Sequence, residues 1–263
     1  MGETGAVVLP VLLKWGIDPV DHLGMGELAG AVSLIVPTRN EAGNVSELLV
    51  RLGRLPAGVL GEVIFVDDSD DDTPAAIAYL APSVVFAVVV VHREAGERLG
   101  GLSGAVVEGF RRAEGTWLGV MDADLQHPPE VVADLFATGE SAGVDIVCAT
   151  RNVSGGGRDG FGAARDVISK SFTTFARRTF PRRLQGVSDP MSGFFLVRRS
   201  ALDPQALRPT GFKILLEILV RTPGLRRAEV GYEFAPRHAG DSKASLKQGM
   251  IYLGHLAKLR LAA

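Results

Sequence analysis

The sequence predicts an α/β fold in which a mostly parallel central sheet carries helices on both faces. Short apolar runs alternate with longer amphipathic stretches from Ala31 to Thr150, which is the pattern of repeated strand–helix units. The composition is 46% hydrophobic and 22% charged, as expected for a globular chain. No run reaches the roughly 20 apolar residues that a membrane-spanning helix needs.

Periodicity and helix-boundary residues define the elements of the first half. Strands are predicted where the apolar runs are short, at residues 31–37, 62–68, 84–91, 116–124 and 144–150. Helices are predicted at 44–55, 73–80, 101–115 and 128–139. In the first of these, apolar residues recur at helical spacing and Asn44 is the predicted N-cap. The last one begins with proline and is predicted to end before Gly139.

The pattern changes after Thr150. A glycine-rich polar loop at 151–162 leads into a predicted helix at 163–180, with Ile168, Phe172 and Phe175 as its apolar stripe. A strand at 192–199, a helix at 212–221 and a strand at 226–237 follow. Residues 1–30 show no period and are predicted to be an extension. The tail, residues 246–263, is predicted to form an amphipathic helix whose apolar face comprises Leu246, Met250, Leu253 and Leu256.

Charge and cysteine content exclude several classes of protein. A net charge of −2 argues against a broad nucleic-acid-binding surface. The single cysteine, Cys148, excludes a disulfide framework and favours a reducing compartment. It lies in an apolar strand, where a thiol is usually inert. The segment "AVVLPVLL" at 6–13 is too short to be a secretory signal, and Pro10 interrupts it.

Polar motifs follow three of the predicted strands: "PTRNE", "DDSDDD" and "DADLQH". Ligands of such sheets bind beyond the carboxyl ends of the strands. Asp122 and Asp124 stand one residue apart, so in an extended segment both carboxylates would face one hard cation such as Mg²⁺ or Mn²⁺. This D-x-D pair alone fits a solvated loop equally well. Asp67 and Asp68 at a neighbouring strand end suit hydrogen bonds to a base or ribose, whereas Asp70, Asp71 and Asp72 suit a solvated turn.

Together these blocks resemble one enzyme family. "LIVPTRNEAGNVSELL", "VIFVDDSDDDTP", "GLSGAVVEGF", "MDADLQHPPE", "DPMSGFFLVRR" and "GFKILLEILV" occur in this order. They closely resemble blocks of the family 2 inverting glycosyltransferases of the GT-A fold, in particular the dolichyl- or polyprenyl-phosphate mannose synthases. The resemblance implies a catalytic domain at 31–245, with a Rossmann-like nucleotide-sugar half at 31–150 and an acceptor half at 151–245. Residues 1–30 and 246–263 flank that domain.

The resemblance also implies roles for individual residues. Asp122, Asp124 and Gln126 would bind the metal, Mg²⁺ or Mn²⁺. The nucleotide sugar would be bound by Pro37, Arg39, Glu41, Val66, Asp68, Arg98, Asp122, Ala123 and Asp124. Asp68, and not Asp67, is the expected contact to the base. Arg39 stands where the family has tyrosine, and Arg98 is the cation nearest to a family lysine. A structural role in the turn before Pro128 is expected for His127.

The implied acceptor is a lipid phosphate, which is anionic at neutral pH and needs cations rather than a general base. Arg151, Arg165 and Ser169 match the family's phosphate-binding positions. Arg237 and Lys243 match a cationic loop that closes over the substrates, and with Asp122 and Asp124 they form the expected catalytic set. The implied reaction moves mannose from GDP-mannose to a polyprenyl (dolichyl) phosphate with inversion at the anomeric carbon.

Several alternatives stay open at this point. The nucleotide pocket does not separate GDP-mannose from a UDP-sugar such as UDP-glucose, and a transferase with a small-molecule acceptor is a further possibility. A non-catalytic binding module should have lost its D-x-D pair, and a dinucleotide oxidoreductase should carry a G-x-G-x-x-G motif. A lipid acceptor implies a membrane surface as partner, at the cytoplasmic face, and allows a separate membrane-anchoring protein; no nucleic-acid partner is expected.

Overall fold

A mixed sheet of seven strands organises the part of the chain that the structure describes. The structure is a computed structural model and describes residues 31–151, 173–239 and 254–260. The strands are β1 (Val32–Thr38), β2 (Leu60–Asp67), β3 (Ala87–His92), β4 (Trp117–Val120), β5 (Ile146–Thr150), β6 (Phe195–Arg198) and β7 (Arg227–Gly231). The helices are α1 (Ala42–Leu52), α2 (Thr73–Leu80), α3 (Gly101–Arg112), α4 (Val131–Ser141) and α5 (Ile214–Arg221). Residues 173–179 and 254–260 are also helical.

The strand order is β3-β2-β1-β4-β6-β5-β7. All neighbouring strands are parallel except β6, which runs antiparallel to both β4 and β5. The prediction of a mostly parallel α/β sheet is therefore confirmed. In the register of β1 and β2, Pro37 pairs with Val66 and Thr38 with Asp67. The two polar motifs that follow these strands consequently begin at the same level of the sheet.

Helices cover both faces of the sheet, as predicted. Along β1, Leu34 and Val36 point into one hydrophobic core while Ile35 points into the other, because successive side chains of a strand face opposite sides. One core is shared with α1, and the other with α3 and α5. Apolar residues of α1 are buried as their spacing predicts: Val45, Leu48, Leu49 and Leu52. Each such burial contributes about 1.5–3 kcal/mol.

Two residues that were predicted to mark helix boundaries have other roles. Asn44 is not the N-cap of α1, because the helix starts two residues earlier, after Glu41. The buried Asn44 side chain instead donates from Nδ2 to Glu41 Oε2 at 2.6 Å. Gly139 lies inside α4 and does not follow it. A Cβ at this position would come within 2.6 Å of the Trp117 ring, so close packing of the helix on β4 explains the glycine.

The described part of the C-terminal tail packs against the protein. Leu256 and Leu259 are only 2% and 1% exposed and belong to the core that includes α5. Leu256, a member of the predicted apolar face, therefore packs inside the protein and is not available to an external surface. The other members of that face, Leu246, Met250 and Leu253, lie outside the described residues, as do Ile168 and Phe172 of the predicted stripe at 163–180. Among the described residues, no helix is long and apolar enough to cross a membrane.

Candidate active site

The motifs that follow β1 and β2 are joined by hydrogen bonds at the carboxyl end of the sheet. Thr38 Oγ1 donates to Asp67 Oδ1 at 2.7 Å. Two residues further on, the Asn40 backbone N–H donates to Ser69 Oγ, and its side-chain Oδ1 accepts from the backbone N–H of Asp70. Asn40 has a φ of 54°, a left-handed conformation that asparagine tolerates better than most residues. These bonds hold the two motifs together, and we refer to them as the β1–β2 wall.

The D-x-D pair lies in a turn beyond β4, and not in an extended strand as the sequence suggests. The strand ends at Val120, and the turn that follows contains Leu125 with a φ of 62°. The turn is closed by the Gln126 backbone N–H, which donates to Asp124 Oδ1 at 3.1 Å. Strand alternation therefore does not decide the relative orientation of the two carboxylates.

Burial and mutual repulsion make the site favourable for a cation. Partial burial raises the pKa of Asp122, whose side chain is 40% exposed, although the positive charges of Lys213, Arg237 and Arg151 oppose this rise. The pKa of Asp124 is also raised, first by burial and then by the charge of Asp122. Two carboxylates that disfavour each other's ionised form are stabilised when a positive charge lies between them.

In this structure, part of that positive charge comes from Arg237. Its Nη2 lies 2.6 Å from Asp124 Oδ2, and its Nη1 lies 3.7 Å from Glu41 Oε1. The segment around Arg237 is also joined to the D-x-D turn by backbone hydrogen bonds. The Ala235 N–H donates to the Gln126 carbonyl at 3.0 Å, and the His238 N–H donates to the Asp124 carbonyl at 3.3 Å. The segment after β7 thus packs directly on the acidic turn.

The side chains at the turn fit a hard divalent cation. Asp122 and Asp124 supply carboxylate oxygens, the ligands that Mg²⁺ and Mn²⁺ prefer. Gly193 leaves space in front of Asp122, because a Cβ there would lie 3.3 Å from Asp122 Oδ2. Within the described residues, no group of three or more histidine, cysteine or acidic side chains forms a complete metal cage. This donor set suits an ion whose other ligands are water and substrate phosphate.

His127 is part of the support for this turn. The imidazole is 4% exposed, stacks on Phe194 with ring centroids 5.1 Å apart, and meets the edge of Tyr232. Its Nδ1 accepts a hydrogen bond from the Asp122 backbone N–H at 3.2 Å. Burial lowers the pKa of His127 to about 4, so the ring is neutral at pH 7. The contacts are those of the structural role that we expected.

Several of the expected nucleotide-binding residues lie at the carboxyl ends of β1 and β2. Pro37 pairs with Val66 across the two strands, and the Val66 side chain is fully buried in the core. Arg98 forms an ion pair with Asp70 at 2.8 Å, and Arg39 Nη2 lies 3.8 Å from the same carboxylate. Asp68 is nearly buried and pairs with Arg93 at 2.6 Å. Arg93 had no role in the sequence analysis, because its partner lies 25 residues away in the chain.

On the other side of the D-x-D turn, a second set of charges surrounds Arg151. This arginine donates to Asp189 Oδ2 from both Nε (3.2 Å) and Nη2 (2.8 Å), and it lies over the Phe234 ring. Lys213 is close enough to Asp122 and Asp189 for their charges to raise its pKa, although burial has the larger effect and lowers it. Its Nζ donates to the Met191 carbonyl at 2.9 Å.

The structure therefore brings together the acidic turn, Glu41, Arg237 and Arg151, but not every expected residue. Arg165, Ser169 and Lys243 lie outside the described residues. Asp189 and Lys213 were missed as site residues. Both stand in blocks that carry the family resemblance, "DPMSGFFLVRR" and "GFKILLEILV", and that position was the available signal.

Comparison with known proteins identifies the family to which the chain belongs. The family model described as Glycosyl transferase family 2 matches residues 33–204. The dolichol-phosphate mannosyltransferase of Pyrococcus furiosus is 38% identical over 228 residues, which cover 87% of this chain but 63% of that relative. The dolichol-phosphate mannosyltransferase of Saccharomyces cerevisiae is 38% identical over 240 residues and is covered to 86%, as is this chain.

A solved structure supports the fold assignment. Glucosyl-3-phosphoglycerate synthase from Mycobacterium tuberculosis, in complex with Mn²⁺, uridine diphosphate and phosphoglyceric acid, superposes with a TM-score of 0.64. The match covers 89% of this chain and 78% of the synthase at 20% identity. The superposition establishes a common fold, but at this low identity it does not identify the substrate.

Proposed function

The chain belongs to glycosyl transferase family 2, and on that premise we propose that it transfers a sugar from a nucleotide sugar to a polyprenyl phosphate. Mannose from GDP-mannose is the favoured donor group. The observation that carries the proposal is the acidic turn, in which the nearly buried Asp124 carboxylate meets the cation of Arg237 at the carboxyl end of the sheet. Two relatives with 38% identity over most of this chain are dolichol-phosphate mannosyltransferases.

The donor site is proposed to extend from the β1–β2 wall to the acidic turn. Asp68 would accept hydrogen bonds from the base, beside Pro37 and Val66. Asp122 and Asp124, with Gln126, would hold Mg²⁺ or Mn²⁺ against the diphosphate. The metal would neutralise negative charge that develops on the departing nucleoside diphosphate. The synthase with the same fold was crystallised with Mn²⁺, which supports the proposal of a divalent metal.

The acceptor site is proposed to lie on the Arg151 side of the turn. Arg151 is held by Asp189 and lies over Phe234, so its guanidinium has a defined position from which to attract a phosphate. Arg165 and Ser169 are proposed as further phosphate ligands. Arg237 and Lys243 would contribute positive charge from the segment that closes over the donor.

The proposed reaction is a single displacement. A lipid-phosphate oxygen forms a bond to the anomeric carbon while the bond from that carbon to the nucleoside diphosphate breaks, and the electron pair leaves with the diphosphate. The acceptor oxygen already carries negative charge, so no side chain has to remove a proton. Preorganised charges such as Arg237 favour the transition state, because they need no reorganisation as charge moves to the leaving group. The product has the inverted anomeric configuration.

A panel of radiolabelled GDP- and UDP-sugars tests the donor and the acceptor together. The chain is incubated with polyprenyl phosphate and Mg²⁺ or Mn²⁺, and the lipid extract is counted. Label from GDP-mannose in the lipid phase is the expected result. Transfer from a UDP-sugar alone would favour the alternative donor. UDP-sugars belong in the panel because the synthase of similar fold was crystallised with uridine diphosphate.

The nature of the acceptor needs its own control. The same reactions are run with a short, water-soluble phosphate monoester in place of the lipid. Equal or faster transfer to the soluble acceptor would overturn the assignment of a lipid and favour a small-molecule transferase. In a separate assay, Arg165→Ala should raise the apparent KM for lipid phosphate much more than that for the nucleotide sugar.

A lipid acceptor also requires contact with a bilayer. We propose that the protein attaches peripherally, at the cytoplasmic face, since a reducing compartment fits the free Cys148 thiol. A separate anchoring protein is compatible with this placement. Removing the tail is a poor test, because Leu256 and Leu259 belong to the core. The exposed Lys258 and Arg260 can instead be changed to glutamate.

Charge reversal at these two positions should weaken flotation with anionic vesicles by tenfold or more, since each basic residue near such a surface contributes about 1 kcal/mol. Glutamate substitution of two exposed arginines at the amino end of the sheet, Arg111 and Arg226, is the matched control. If both double variants float like the unchanged protein, the tail does not contribute to attachment.

A further inference from the structure

Two adjacent aspartates at the end of β2 have different surroundings. Asp67 is fully buried and its carboxylate is surrounded by internal donors. Thr38 Oγ1 and Ser69 Oγ donate to its Oδ1 at 2.7 and 2.5 Å, and His92 Nδ1 lies 2.7 Å from its Oδ2. A carboxylate with this many protein partners has little capacity left for a ligand. Asp67 therefore serves the fold at this position.

In the described part of the chain, the Asp68 carboxylate has one strong side-chain partner. Arg93 donates from Nε to Asp68 Oδ1 at 2.8 Å and from Nη2 to Asp68 Oδ2 at 2.6 Å. This is a bidentate (two-pronged) ion pair, in which the planar guanidinium faces both carboxylate oxygens. Two parallel hydrogen bonds fix the orientation of the carboxylate more strongly than one. The Asp68 side chain retains 12% of its exposed surface, and that of Arg93 retains 8%. One lone pair on each oxygen is used, and a second one is left for a ligand.

Arg93 is itself held in place from the opposite side. Its Nη2 donates to the Gly101 carbonyl at 3.1 Å, and its Nη1 donates to the Leu99 carbonyl at 3.4 Å. Gly104 leaves the space that this arrangement needs, because a Cβ there would lie 1.9 Å from the Leu99 carbonyl oxygen and 3.3 Å from Arg93 Nη1. The start of α3 thus fixes the guanidinium, and the guanidinium fixes the carboxylate.

We infer that Arg93 is a positioning residue for base recognition, which holds the Asp68 carboxylate so that it accepts hydrogen bonds from the base of the nucleotide sugar. The inference rests on the proposed function, since it needs a nucleotide in the cleft. A carboxylate paired in this way can only accept. It selects bases with an N–H donor at the matching ring nitrogen, guanine or uracil, over adenine and cytosine, which have a lone pair there.

Nucleotide binding, measured without catalysis, tests the inference. Isothermal titration compares GDP and UDP with ADP and CDP in the presence of Mn²⁺, for the unchanged chain and for Arg93→Lys. Lysine keeps the positive charge but cannot form the two-pronged pair. We expect Arg93→Lys to bind the preferred nucleotide about tenfold more weakly, comparable to the loss of one charge-assisted hydrogen bond. Binding of inorganic pyrophosphate with Mn²⁺, which has no base, should not change.

A matched control exists at the other end of the sheet. Arg226 forms the same kind of two-pronged pair with Asp145, at 2.8 and 3.1 Å. Arg226→Lys removes an equivalent pair and should leave nucleotide affinity unchanged. If Arg93→Lys weakens pyrophosphate as much as the nucleotide, or if it binds the nucleotide as the unchanged chain does, the positioning role is wrong.

A double-mutant cycle shows whether Arg93 acts through Asp68. Asp68→Asn should weaken nucleotide binding, and Arg93→Met should add less than about twofold in that background, since residues that act through one interaction are not additive. The variant with both Asp68→Asn and Arg93→Met carries no buried unpaired charge. It can therefore be measured even if Arg93→Met alone does not fold. A full additional loss would mean that Arg93 acts independently of Asp68. If the unchanged chain binds none of the four nucleotides, the proposed function itself fails.

Discussion

Arg237 and Asp124 form a direct ion pair, with Nη2 of the arginine 2.6 Å from Oδ2 of the aspartate. The arginine side chain is 24% exposed, and the aspartate side chain is 9% exposed. The proposed metal ligand is thus neutralised by a side chain of the protein. A divalent ion that binds Asp124 has to share this carboxylate with Arg237 or displace it, which would release the guanidinium towards the diphosphate.

Competition between Arg237 and the metal predicts that Arg237→Met binds Mn²⁺ more tightly than the unchanged chain when no nucleotide is present. The gain should be up to about fivefold, corresponding to the roughly 1 kcal/mol of a partly exposed ion pair. Titration calorimetry with Mn²⁺ alone measures it, and Arg226→Met is the control. Transfer by Arg237→Met should nevertheless fall. Weaker Mn²⁺ binding by this variant would contradict the competition.

Asp124→Asn should reduce metal-dependent transfer by at least about 100-fold, the size of effect expected when a preorganised charge at the reacting groups is removed. The amide has the same shape but binds a hard cation poorly. Circular dichroism and Mn²⁺ titration separate this loss from misfolding. Asp134→Asn, at an exposed position of α4, should keep full activity. Near-normal transfer by Asp124→Asn would rule out a metal-binding role.

Gly193→Ala tests the space in front of the acidic turn. The added methyl group would lie 3.3 Å from Asp122 Oδ2 and 3.5 Å from His127 Cε1, so the carboxylate has to shift by a few tenths of an ångström. We expect several-fold weaker Mn²⁺ binding and a higher KM for the donor, with little change in melting temperature. Gly254→Ala, where a Cβ meets nothing within 4 Å, is the control. Unchanged Mn²⁺ affinity in Gly193→Ala would place the ion elsewhere.

The buried Glu217 predicts an acid-sensitive step in stability. Burial alone would raise its pKa, but hydrogen bonds from His255, the Arg208 backbone and Arg221 lower it below the ordinary value of 4.5. A lowered pKa means that the ionised carboxylate stabilises the folded state. That stabilisation is complete above about pH 4.5 and is lost as the pH falls through the folded pKa.

Glu217→Gln should therefore lower the free energy of unfolding by about 3 kcal/mol at pH 7, the usual effect of breaking a buried ion pair. Urea denaturation at pH 7 and at pH 3.5 measures both values, and the difference between variant and unchanged chain should shrink at the lower pH. Glu114→Gln, at an exposed position, provides the comparison. A difference that grows on acidification would contradict the assignment.

Local sequence pattern predicted most of the elements and the end of the sheet at which the site forms. The strands around Ile35, Ile64 and Val147 were identified because buried apolar runs are a property of neighbouring residues, and the same holds for the helical spacing of α1. The carboxyl-end rule for parallel strands then predicted that Asp68, Asp122 and Asp124 lie at the same end of the sheet. The blocks that carry the family resemblance are equally local.

Other features depend on residues that meet only in the folded chain. Alternation of strands and helices does not reveal that β6 inserts antiparallel between β4 and β5. β4 ends at Val120, earlier than hydropathy suggests. The turn that follows contains Leu125, whose left-handed φ leaves no trace in an apolar pattern.

Asp67 and Asp68 have the same side chain and are adjacent in sequence, yet one is enclosed by internal donors and the other keeps a small exposed surface and pairs with Arg93. Partners such as Arg237 for Asp124 lie far away along the chain. Hydrophobic periodicity is set within one element and can be predicted from it. The pairing of charges depends on distances across elements, so only the tertiary structure decided which carboxylates serve the fold and which line the cleft.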